Sequence, residues 1–177
     1  MLVAGDLRNA DWFPAYNDVS AYVDAQRDTS RPYDIAWYFV RGEGQFVCYD
    51  IQRRKATGVL GPDGVSNPKD PDRAGRFTDR LKFKTQLQSG EIFFVDGSSL
   101  YRVSLSEATA RRVAVPFSVA TVQTIVALSG DSQWGVTVAE PSTSGSDPGV
   151  MVSDGAHFAV VSKAGGTLYT VAREYDA

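Results

Sequence analysis

A single cysteine and a single histidine stand among the 177 residues of this chain, and those two scarcities remove several chemistries at once. One cysteine forbids an internal disulfide and a thiolate-based metal cage. Cys48 lies inside an apolar strand candidate, where a buried thiol is the ordinary outcome. A zinc centre needs three or four convergent ligands, so none is expected here, and no cofactor is predicted. Basic charge is scarce as well: 18 Lys and Arg against 21 Asp and Glu leave a formal charge of -3. Such a balance creates no general field for a polyanion, and nucleic acid is not an expected partner. No apolar stretch approaches the ~20 residues that cross a bilayer. The start, MLVAGDLRNADWF, carries Asp6 and lacks an apolar run after a basic segment, so it does not read as a leader. The expectation is a soluble chain without a membrane role, cytoplasmic by default.

What is present is strand. Apolar residues make up 43% and charged residues 22%, a composition able to build a core. In EIFFVDGSSLYRVSLSEATARRVAV, residues 91–115, the run Ile92–Val95 ends at Asp96-Gly97, a reversing dipeptide. Leu100–Leu105 then alternates in two registers before a polar corner at Ser106-Glu107 and a return through Val113 to Val115. Period-two runs bounded by glycine and polar turns predict an antiparallel meander. Residues 35–51 repeat the pattern: IAWYFV is apolar on both registers, which predicts a strand buried on both faces. Further strands are expected near Thr57–Leu60, Thr121–Leu128, Gln133–Ala139, Val150–Val152, Ala156–Ser162 and Thr167–Arg173. EPSTSGSDPG, residues 140–149, reads as an exposed connection.

Two stretches differ. Residues 1–34 hold the aromatic cluster Trp12, Phe13 and Tyr16, then one short helix after Asn17-Asp18 with Val19, Tyr22 and Val23 on a face. They are expected to pack on the sheet as an N-terminal helical and aromatic segment. Residues 61–80 form a charged loop insertion in an otherwise single β domain spanning 35–177. Beyond it, Leu81, Phe83 and Thr85 alternate with Lys82 and Lys84 as a strand. From Lys69 to Lys84 there are six basic and three acidic residues, the one local concentration of cations. Such tracts usually face water and pair internally, but this one is also a candidate contact surface through Arg73, Arg76, Arg80 and Lys82. Phe77 and Phe83 are its available stacking partners.

Four tight turns, Arg41–Gly44, Asp96–Ser98, Ser129–Ser132 and Lys163–Gly166, each separate an apolar strand from one with an aromatic near its start (Phe46, Tyr101, Trp134, Tyr169). Residues 91–113 resemble a blade of the TolB-like and prolyl-oligopeptidase-type β-propellers; residues 157–173 are similar, and 35–51 more loosely so. The resemblance implies four-stranded blades in a partial or short propeller. A full ring of six blades needs roughly 240 residues. A sandwich or small barrel explains the same strands, and all three stay open within the all-β class. The peptidase relatives keep their triad on a separate α/β domain, so no activity is implied.

Chemistry is sparse. Ser153, Asp154 and His157 lie within five positions, but a nucleophile elbow is missing, and no catalytic residue is assigned. The expected function is a non-catalytic binding or assembly module that makes protein–protein contacts or self-associates. The surfaces in view are the cationic tract and an aromatic face drawn from Trp12, Phe13, Trp37 or Trp134. One alternative is a carbohydrate-binding module, hydrolase or lyase with a cleft beside Trp134, Asp131, Asp154 and His157. Another is a structural subunit of a particle or appendage.

Overall fold

Strand-forming runs and glycine reversals organise the fold, seen here in a computed structural model that describes residues 11–13, 35–50, 55–78, 80–87, 89–128 and 148–172. The chain divides into two compact units, Met1–Arg80 with Val103–Ala110, and Leu81–Arg102 with Arg111–Ala177.

In the first unit, strands β1 (Asp11–Phe13), β2 (Ile35–Val40), β3 (Gln45–Asp50), β4 (Lys55–Gly61) and β5 (Gly64–Ser66) form one antiparallel sheet in that order. The β2–β3 register runs from Val40 opposite Gln45 to Ile35 opposite Asp50. It is set by the turn at Arg41–Gly44, where the Gly44 N–H donates to the Val40 carbonyl at 2.9 Å. Gly44 has φ +63°, and a Cβ there would lie 2.0 Å from the Phe77 carbonyl oxygen, so only glycine fits. Because strand side chains alternate between faces, Trp37, Phe39, Phe46, Cys48 and Leu60 share one side and Val40, Val47 and Val59 the other. All eight are buried, which is why the run lacks polar alternation. Each large side chain removed from water stabilises by about 1.5–3 kcal/mol.

The Pro- and Gly-rich stretch after β4 is held down. It contains β5 and a 3-10 turn at Pro71–Ala74, and it returns Phe77 to the first sheet. Gln45, 1% exposed, donates through Nε2 to the carbonyls of Pro71 and Gly75, both at 2.8 Å. The Phe77 N–H donates to Gly44 O at 2.7 Å, and its ring meets Phe46 edge-on at 6.0 Å.

Two more antiparallel sheets follow. One has the order β6 (Lys82–Gln86), β7 (Ile92–Asp96), β8 (Ser99–Ser104), β9 (Thr109–Val113). The other has the order β10 (Thr124–Ala127), β11 (Pro148–Ser153), β12 (His157–Ser162), β13 (Thr167–Ala172). Within the second unit they share a core in which Phe93, Val95, Leu100 and Val113 meet Ile125, Val150, Val152 and Val161. Polar stitches join them: Thr85 Oγ1 donates to Ile125 O at 3.2 Å, and Thr167 Oγ1 to Ala114 O at 2.5 Å. Arg102, 5% exposed, donates through Nε to Lys163 O at 2.6 Å.

The fold is all-β, built of antiparallel hairpins and meanders of the sandwich/meander kind. The resemblance to TolB-like and prolyl-oligopeptidase-type propellers is overturned: among the described residues the three sheets have five, four and four strands in linear order, and none is closed or curled. The same finding removes the closed barrel. Regular hairpin spacing reports how often the chain reverses; it does not report ring closure. The expected helix after Asn17, the turn at Ser129–Ser132 and the strand at Gln133–Ala139 lie outside the described residues. Among the described residues, no helix is long and apolar enough to cross a membrane.

Candidate functional site

The arginines of the cationic tract lie in the first unit and Lys82 in the second. Arg76 is a clamp. Its Nη1 contacts Glu43 Oε2 at 2.7 Å and the Glu43 carbonyl at 2.8 Å, while Nη2 reaches Asp72 Oδ1 at 2.8 Å. The hydrogen bond it donates to Asp72, with that to Glu43 behind it, raises the guanidinium above its ordinary value. This charge ties the 3-10 turn to the β2–β3 turn. Arg73 is open: its side chain is 81% exposed and only 4.0 Å from Asp70 Oδ2 at the nearest. Arg80 is exposed, and its backbone N–H reaches Thr78 Oγ1 at 3.4 Å.

The two aromatics of the tract separate sharply. Phe77 is 4% exposed and belongs to the core, whereas Phe83 is 38% exposed. Phe83 lies in β6, an edge strand of its sheet, at a bulge. Lys82 pairs with Val95 and Thr85 with Phe93, so Phe83 and Lys84 together oppose Phe94. At the bulge Phe83 takes φ +57°, one of two positive-φ residues other than glycine among the described residues. The other is Ala108, a small residue in the turn between β8 and β9. Thr85 Oγ1 lies 3.0 Å from the Phe83 carbonyl, which shares the single hydroxyl hydrogen with the Ile125 carbonyl at 3.2 Å. Lys82 and Lys84, its neighbours in sequence, are both exposed.

Asp131 and Trp134 lie outside the described residues, but Asp154 and His157 meet. Asp154 Oδ1 accepts the backbone N–H of Ala156 at 2.9 Å and of His157 at 2.6 Å, and Oδ2 lies 3.1 Å from His157 Nδ1. These bonds, led by that from the His157 backbone, hold the Asp154 carboxyl below its ordinary value. Ser153 Oγ serves the same turn, accepting from the Gly155 N–H and donating to the His157 carbonyl, each at 3.0 Å. The His157 ring stacks on Phe117 at 6.2 Å. The constellation closes the β11–β12 hairpin as an Asx-type turn; the serine is bonded to backbone groups.

Sequence reasoning missed the buried polar residues. Gln45 and Arg102 occupy apolar strand patterns yet pin distant backbone carbonyls. Glu91 lies 4.0 Å from Arg102 and accepts from Ser89 Oγ. Trp37, a candidate for an aromatic face, is fully buried, and its Nε1 and Tyr49 Oη have no hydrogen-bond partner among the described residues. Among those residues, no group of three or more His, Cys, Asp or Glu converges on a metal position. No known family model matches the sequence, and no curated protein is found to be similar to it.

Proposed function

We propose that this chain is a non-catalytic binding module that makes protein–protein contacts within a larger complex, through the outward segment of β6. The observation that supports this is Phe83. A left-handed backbone costs a residue with a Cβ about 1–2 kcal/mol. Here that cost is met by a large aromatic side chain that still keeps 38% of its surface exposed. Exposed lysines and a bulge on an edge strand also guard against unwanted sheet pairing. That guard explains Lys82, Lys84 and the bulge. It does not explain a phenylalanine, since glycine or asparagine suits the conformation better. Strain retained at an exposed aromatic is a reason to look there for a contact.

Photo-crosslinking tests the reading. A photoreactive phenylalanine analogue at position 83 is expected to give a discrete protein adduct in the native host. The same analogue at Val65, an equally exposed apolar position at 36%, is expected to give none. Matching adduct patterns from the two positions, or no adduct at 83, would contradict it.

A further inference from the structure

We draw no further inference here: the strongest candidate, the His157–Asp154 pair at the β11–β12 turn, belongs to the Asx-type turn already described, and among the described residues no third carboxylate, thiol or imidazole joins it to hold a metal ion.

Discussion

Two cationic segments adjacent in sequence behave in opposite ways. Around Arg76, charge is spent inside the molecule: Glu43 and Asp72 bracket the guanidinium, Gln45 pins the carbonyls of Pro71 and Gly75, and Phe77 is buried against Phe46. Around Lys82, the backbone turns a comparable aromatic outward and leaves lysines exposed beside it. Residue type does not distinguish the segments, since each offers basic side chains and a phenylalanine. The difference lies in the backbone, where a bulge places Phe83 in the left-handed region and a closed turn draws Phe77 inward.

The sharpest break of this contrast is a pair of truncations read by denaturant unfolding. Phe77→Ala is expected to cost about 3–5 kcal/mol, the range for a buried aromatic. A cost below ~1 kcal/mol would mean that Phe77 is no anchor. Phe83→Gly is expected to change stability far less. Relief of about 1–2 kcal/mol of left-handed strain, less the ~0.5–1 kcal/mol entropic cost of glycine, is set against about 1–2 kcal/mol of burial lost with the partly covered ring, leaving a net change near zero. Destabilisation beyond ~1 kcal/mol would show that Phe83 packs as a core residue.

Smaller effects follow at the ion pairs. Arg76→Ala is expected to cost ~0.5–1 kcal/mol, because its contacts are partly exposed and screened by water. Raising salt should shrink the difference between wild type and variant. At the β11–β12 turn, Asp154 is held below its ordinary value by hydrogen bonds to its charged form. That stabilisation is fully present above the unfolded carboxyl value of about 3.9. It is lost as pH falls through the lower folded value. Asp154→Asn is expected to flatten that acid limb, as measured by thermal melts across the acid range. An unchanged pH profile would remove the carboxylate from the turn's stability.

Much of the strand pattern was legible. Asp96-Gly97 marked the β7–β8 reversal, and the unbroken apolar run at residues 35–40 marked a strand covered on both faces. The failures have physical causes. Reading Leu81, Phe83 and Thr85 as one alternating face assumes two-residue periodicity throughout β6. The extra residue between Lys82 and Thr85 breaks that register, and Phe83 leaves the face it was assigned. The stretch after Gly61 is mostly exposed or half-buried, as a charged loop would be; what was not legible is its anchoring, through backbone carbonyls whose donor, Gln45, lies in another strand. Repeated hairpins suggested propeller blades because spacing records reversals and carries no information on closure.

The contrast between the two phenylalanines is tested most directly by fluorine NMR, with fluorophenylalanine placed singly at 77 and at 83 and spectra compared in light and heavy water. The account predicts a clear solvent isotope shift at position 83 and almost none at 77. Equal shifts at both positions, or a shielded ring at 83, would contradict it.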